Sequence, residues 1–272
     1  MKKILLLISV MILSLFTFAC NKKTDAEIVG IVKVGFAGDS DYQIWNPIVD
    51  KLAKEGIKVE LISFSDYTIP NQALNDGEID LNAFQHYAYF EDEIQNKGYN
   101  LVSIADTYIS AMNIYSQNIN DISELKEGDK IAIPNDPSNG GRALKVLQAA
   151  GIIKVREEAG DTPSISDIIE NPLNIEIIEL DAGAIYGVFP DVACAVINGN
   201  YAIDFNLNPG SDYIFKDDPS IYSGKSFVNL IAAREEDKDN ELYKKVVDTY
   251  QSDIVEKVYS ENFKGSYLPT WK

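Results

Sequence analysis

Between Ile31 and Phe64 the hydrophobic pattern changes period twice, and no other stretch constrains the fold so tightly. Ile31-Val32-Lys33-Val34-Gly35-Phe36-Ala37 reads as a strand and ends in the turn residues Gly38-Asp39-Ser40-Asp41. Trp45, Ile48, Val49 and Leu52 then recur at helical spacing, Lys54-Glu55-Gly56 closes that helix, and Ile57 to Phe64 returns to a β-branched, apolar run. A strand, a helix and a strand in succession place helices over the faces of a largely parallel sheet. The alternation continues. A helix is expected through Leu74, an amphipathic helix over Glu91 to Lys97, and a strand over Leu101 to Ala105, with another starting at Met112-Asn113-Ile114-Tyr115. Lys130 to Ile133 reads as a strand, and Ala143, Leu144, Leu147 and Ala150 as the apolar side of a helix. Ser164 to Glu170 is expected to be helical, and Ile175 to Leu180, Val192 to Ile197 and Phe227 to Ala232 to be strands. Leu242, Val246, Val247, Tyr250, Ile254 and Val258 mark one long C-terminal helix. The expected architecture is a doubly wound α/β protein of two lobes, the chain crossing between them near 110–118 and again near 198–206.

The N-terminus bears on the compartment. Met1-Lys2-Lys3 is basic, and Ile4 to Phe18 is an uncharged, largely apolar run of 15 residues, short for a membrane span and typical of a signal peptide core. It ends in Thr17-Phe18-Ala19-Cys20, which resembles a bacterial lipobox, cut before the cysteine that then carries lipid. The alternative is a plain secretory signal with an incidental Cys20. Loss of Lys2 and Lys3 with that segment leaves 22 basic against 42 acidic side chains, a formal charge of −20. A surface this acidic argues against nucleic acid and against electrostatic binding to anionic lipid. Cys194 lies within the apolar run Val192 to Ile197 and reads as a buried small hydrophobe.

Enzyme signatures are missing: there is no HExxH, no Walker lysine, no GxSxG and no paired-cysteine metal site. The single histidine, His86, and Cys194 stand 108 positions apart with nothing to orient them. What remains suits binding. Pro134-Asn135-Asp136-Pro137-Ser138-Asn139-Gly140-Gly141-Arg142 reads as a strand end, a polar turn and a helix start, with Arg142 in the first turn against the helix dipole. An anion there would meet free backbone N–H groups and a guanidinium fork; a surface arginine after an ordinary loop is the other reading. Phe84 to Phe90 holds four aromatic rings and His86 within seven residues, and Asn229 interrupts an apolar strand. Rings, an arginine fork and amide oxygens are what a small amphiphilic zwitterion requires, although each ring taken singly could equally be core.

Asp66-Tyr67-Thr68-Ile69-Pro70-Asn71-Gln72-Ala73-Leu74, Asp80-Leu81-Asn82-Ala83-Phe84-Gln85-His86, the Pro134 to Arg142 stretch, Ala195-Val196-Ile197-Asn198 and Phe227-Val228-Asn229-Leu230-Ile231 closely resemble, in order, the NlpA family of lipoproteins, the substrate-binding proteins of methionine ABC importers. The resemblance runs from about Lys33 to the C-terminus. It implies a periplasmic-binding-protein fold of type II, two α/β lobes with the ligand cleft between them, no cofactor, no enzymatic activity, and a membrane permease as partner. It also implies lipid anchorage at Cys20 in the cell envelope, periplasmic or surface-exposed, the outer membrane included. The expected organisation is a signal peptide over 1–19, the lipidated cysteine and a tether over 20–30, one lobe from 31–113 plus 203–272, and the other from 114–202. By matching motifs, Arg142 would clamp the ligand carboxylate, Asn198 and Asn229 would meet its amino-acid end, and Tyr67, Phe84, His86 and Tyr89 would wall its side chain, with Tyr108 nearby. Departures lie at the rim. His86-Tyr87-Ala88-Tyr89 stands where the family commonly has His-Lys-Pro-Tyr, Asp181 to Gly187 replaces Glu-Ala-x-Gln-Leu-Pro-Arg, and Tyr108-Ile109-Ser110-Ala111 replaces aromatic-Val-Tyr-Pro. The implied ligand is L-methionine or a close analogue; another apolar amino acid, D-methionine, a methionine-containing dipeptide, or a protein-interaction role at the envelope without transport is the alternative.

Overall fold

The pattern at Ile31 to Phe64 builds the edge of the first sheet. In the computed structural model, which describes residues 28–219, 222, 224–263 and 266–272, β1 (Gly30–Ala37) and β2 (Ile57–Phe64) run parallel, Gly30 opposite Ile57 and Ala37 opposite Phe64. Between them α1 (Tyr42–Ala53) buries Ile44, Trp45, Ile48 and Leu52, the stripe that its spacing predicts. The chain continues through α2 (Pro70–Asn75), β3 (Leu81–Asn82), α3 (Tyr87–Lys97), β4 (Leu101–Asp106) and β5 (Tyr108–Ser110). Next come β6 (Asn113–Tyr115), β7 (Lys130–Pro134), α4 (Pro137–Ala149), β8 (Lys154–Val155), β9 (Ile168–Glu170), β10 (Glu176–Leu180), α5 (Ile185–Val188), β11 (Cys194–Ile197), α6 (Gly199–Asp204) and β12 (Tyr213–Phe215). It ends with β13 (Leu230–Arg234), α7 (Glu241–Tyr250), α8 (Asp253–Glu261) and β14 (Tyr267–Pro269).

The strands sort into two five-stranded sheets, β2-β1-β3-β13-β4 and β10-β7-β11-β6-β12. This is the two-lobed α/β architecture that the alternation implies. In the first sheet β1, β2 and β3 are parallel, and β13 returns antiparallel between β3 and β4. In the second, β7, β10 and β11 are parallel and β6 is antiparallel to β11. Ile131, Ile133, Leu144, Leu147 and Val196 pack the second sheet against α4. A larger cluster runs from Val34, Phe36 and Trp45 through the space between the sheets to Ile197 and Tyr201. Since β6 pairs with both β11 and β12, the segment 213–215 adds to the second sheet, although the expected organisation gives 203–272 to the first lobe.

Three local expectations are corrected. Ser164 to Glu170 is one 3-10 turn, Ile165–Asp167, followed by β9: the Ser164–Asp167 capping box starts a helix, but Ile168 and Ile169 find a strand partner in β8, and Pro172 follows. The long C-terminal helix is two helices. At the break the Gln251 side-chain amide donates to the Asp106 carbonyl at 2.8 Å, and the Ser252 hydroxyl donates to the Thr249 carbonyl at 2.6 Å. The apolar period runs on because both α7 and α8 pack on α1, where Tyr250 lies 5.2 Å from Trp45. The strand expected from Phe227 begins at Leu230, with Asn229 in an isolated bridge to His86. Tyr267 to Pro269 pairs with β5, so the C-terminal aromatics close over the connection between the sheets, Tyr108 stacked on Tyr267 at 4.1 Å. The signal peptide, Cys20 and the tether up to residue 27 lie outside the described residues.

Candidate functional site

The site is assembled around the start of α4. Asp136 caps this helix, its carboxylate accepting the Asn139 backbone N–H at 2.8 Å and the Ser138 hydroxyl at 2.8 Å, and Pro137 occupies the first helical position. Burial pushes the Asp136 carboxyl upward, against the lowering pull of those hydrogen bonds. The helix therefore opens five residues before Arg142, which stands in the second turn rather than the first. The glycines serve close packing: a Cβ on Gly140 would come within 2.8 Å of the Pro134 carbonyl, and one on Gly141 within 2.5 Å of the Thr162 Cα.

Arg142 is buried, at 3% exposure. Its Nη2 donates to the Ser110 carbonyl at 2.7 Å and to Asp217 Oδ2 at 2.9 Å, and its guanidinium carbon lies 4.9 Å and 4.7 Å from the ring centres of Tyr222 and Phe227. Its Nε is buried without a hydrogen-bond partner among the described residues. So is Asn198 Oδ1, whose amide nitrogen donates to Asn139 Oδ1 at 2.7 Å. One donor and one acceptor are thus left open in the same cleft, against the strong preference of buried polar groups for partners.

His86 faces this pair from the first lobe. Its Nδ1 accepts the Tyr89 backbone N–H at 3.2 Å, capping α3, which puts the ring proton on Nε2 and directs it to Asn139 Oδ1 at 3.1 Å. The histidine among the rings is thus held as a helix cap. Burial, with the nearby Arg142 guanidinium second, lowers its pKa to about 3. The unfolded imidazole titrates near 6.5, so between those values the unfolded state binds more protons and stability falls as pH drops through that window. Because the chain has one histidine, its imidazole resonance is expected to stay fixed from pH 8 to pH 5; a titration centred near 6.5 would contradict the assigned contacts.

The backbone that carries Phe84 and His86 is fixed by a buried amide set: Gln85 and Asn71 exchange hydrogen bonds at 2.8 and 2.7 Å, and Asn82 donates to Asn71 Oδ1 at 2.9 Å. Tyr67, Phe84 and Tyr89 lie mutually within 6.0 Å, centre to centre, and form an aromatic wall. The two tyrosine hydroxyls are engaged within the protein, Tyr67 with Asn200 Oδ1 at 2.6 Å and Tyr89 with the Tyr67 carbonyl at 2.9 Å. Asn200 also donates to the Ala37 carbonyl at 3.2 Å, and Asp204 accepts the Ser40 N–H at 2.7 Å, tying α6 to the end of β1 across the cleft. Asn229 donates from its backbone and its side chain to the Tyr108 carbonyl, at 2.7 and 3.3 Å.

Tyr67, Phe84, His86, Tyr89, Tyr108, Arg142, Asn198 and Asn229 all line one cavity between the lobes, joined by Gln85, Ser110, Met112, Asn139, Gly199 and Asn200. Sequence reading passed over Asn139, taken as a turn residue, and Asp217, one of several acids in a turn-rich stretch. Ser110, in one of the departures from the family pattern, touches the arginine through its carbonyl. Cys194 is wholly buried in the core cluster of the second sheet and does not line the cavity, its thiol pushed up to about 12 by burial. Among the described residues no group of histidine, cysteine or carboxylate side chains could hold a metal ion.

The family model for NlpA lipoproteins matches residues 32–271. The D-methionine-binding lipoprotein MetQ of Salmonella typhimurium is 42% identical over 244 residues, covering 88% of each chain. Outer membrane lipoprotein 3 of Mannheimia haemolytica is 40% identical over 265 residues, covering 97% of each. Among solved structures, a nutrient-binding protein from Burkholderia cenocepacia bound to methionine superposes with a TM-score of 0.83 at 41% identity, covering 88% of this chain and all of that one.

Proposed function

Because the chain belongs to the NlpA lipoprotein family, we propose that it is the substrate-binding lipoprotein of an ABC importer, taking L-methionine or a close analogue, the D enantiomer included, into the interlobe cleft and delivering it to a membrane permease. The observation that carries this reading is the pair of buried open atoms, Arg142 Nε and Asn198 Oδ1. A donor on a guanidinium and a neutral acceptor match the carboxylate and ammonium of an α-amino acid, whose desolvation is costly unless both ends are met. Tyr67, Phe84 and Tyr89 offer ring faces to an apolar, polarizable side chain, for which a thioether is well suited. Arg142, Asn198 and Asn229 serve the amino-acid end and Tyr108 backs the wall.

The cleft divides a lobe of residues 31–113 plus 203–272 from one of 114–202, with the strand at 213–215 added to the latter's sheet. Cys20, after removal of residues 1–19, carries the lipid that holds the protein to the cell envelope, and the Mannheimia haemolytica relative's name supports an outer-membrane location as one form of this. Calorimetry on the ligand-free mature protein is expected to give 1:1 binding of L-methionine. Absence of heat with L-methionine, D-methionine and methionyl dipeptides would remove the reading.

A further inference from the structure

We propose that Asp217 is a selectivity residue of this cleft: by balancing the Arg142 charge internally, it makes the site accept a carboxylate only from a molecule that brings its own ammonium. The inference rests on the amino-acid reading above and deepens it. Asp217 lies in the loop after β12 and is 2% exposed. Its Oδ2 accepts Arg142 Nη2 at 2.9 Å and the Met112 backbone N–H at 3.0 Å, and its Oδ1 accepts the Tyr222 hydroxyl at 2.8 Å. Its own N–H donates to Asn113 Oδ1 at 2.9 Å, which fixes the loop at that point.

Two consequences follow for any ligand. The pair occupies Nη2 and so orients the guanidinium with Nε left for a second carboxylate. It also contributes no net charge. A zwitterion entering a desolvated cleft leaves that balance unchanged, whereas the same molecule without its amino group adds a negative charge close to Asp217, with no cation to offset it and little solvent to screen it. The other buried carboxylate nearby, Asp136, is turned to Ser138 and Asn139 at the helix start. Deaminated acids are therefore rejected by charge, and Asp217 acts on the ligand through Arg142.

The test compares L-methionine with 4-(methylthio)butanoate, the same skeleton without the amino group, on wild type and Asp217→Asn by calorimetry. Asparagine keeps the size and an acceptor oxygen but removes the charge, leaving the guanidinium uncompensated. The wild type is expected to favour methionine by about a thousandfold, and Asp217→Asn to narrow that ratio at least about tenfold, chiefly by tightening the deaminated acid. Asp217→Ser is expected to narrow it likewise, so the outcome does not hang on one variant folding, and Asp217→Glu to restore it. Equal weakening of both ligands, or an unchanged ratio, overturns the proposal while leaving the amino-acid reading intact. Failure of the wild type to bind methionine overturns both.

Discussion

Arg142→Ala is expected to weaken methionine binding by two to three orders of magnitude, about 3–4 kcal/mol, the scale for truncating one partner of a buried, charged hydrogen-bonded contact. The same substitution strips Asp217 of its cation while leaving it buried among Met112, Tyr222 and Asn113, and breaking a buried ion pair on one side costs about 3–5 kcal/mol. A chain of this length then loses on the order of 10 °C in melting temperature. The two effects separate in the double variant Arg142→Met, Asp217→Asn. With both charges gone, stability should return toward wild type, because the methionine stem can lie against Tyr222 and Phe227, while affinity stays lost. Calorimetry and thermal unfolding on the three proteins decide the matter. Single-variant binding within tenfold of wild type would mean that the carboxylate is held elsewhere.

How the site was legible follows from the same contacts. Strand and helix periods depend on residues a few positions apart, so Ile31 to Phe64 and the turn from Pro134 to Arg142 could be read directly, and the family motifs fall on residues that line the cavity. Asp217 could not be found that way. It meets Arg142 across 75 positions and is one acid among several in a turn-rich stretch; only the return of β12 to the second sheet brings it under the guanidinium. The split of the C-terminal helix escaped for a related reason, since its apolar stripe is continuous and the bond that marks the break, Gln251 to the Asp106 carbonyl, comes from another element. Period is a local property, whereas the pairing of polar groups is settled by tertiary structure.

Asn139→Leu is the second large effect, and it follows from a residue with no free valence. Asn139 is 2% exposed; its Oδ1 accepts from His86 Nε2 and Asn198 Nδ2, and its Nδ2 donates to both Asp136 oxygens at 3.1 and 3.0 Å. Leucine fills a similar volume and keeps the backbone bond to Asp136, so the helix can still start. It leaves two buried donors, one from each side of the cleft, without an acceptor, and such orphans cost about 1–3 kcal/mol apiece. Stability should fall by about 3–5 kcal/mol, roughly 10 °C in melting temperature. Affinity should fall as well, because Asn198, no longer held by its amide nitrogen, loses the orientation that leaves its Oδ1 open to the ammonium of the proposed ligand. Asn139→Asp keeps an acceptor for both donors but sets an oxygen where Nδ2 met the Asp136 carboxylate; the two acids then share a proton, which goes to Asp136, already pushed upward by burial, and the charge left on the introduced carboxylate, beside His86 Nε2, favours the imidazolium and raises the pKa from about 3. The single histidine resonance should then begin to move at a higher pH than in wild type. If it does not, and Asn139→Leu melts within about 2 °C of wild type, the hydrogen bonds that join His86 and Asn198 through Asn139 do not hold the cleft together.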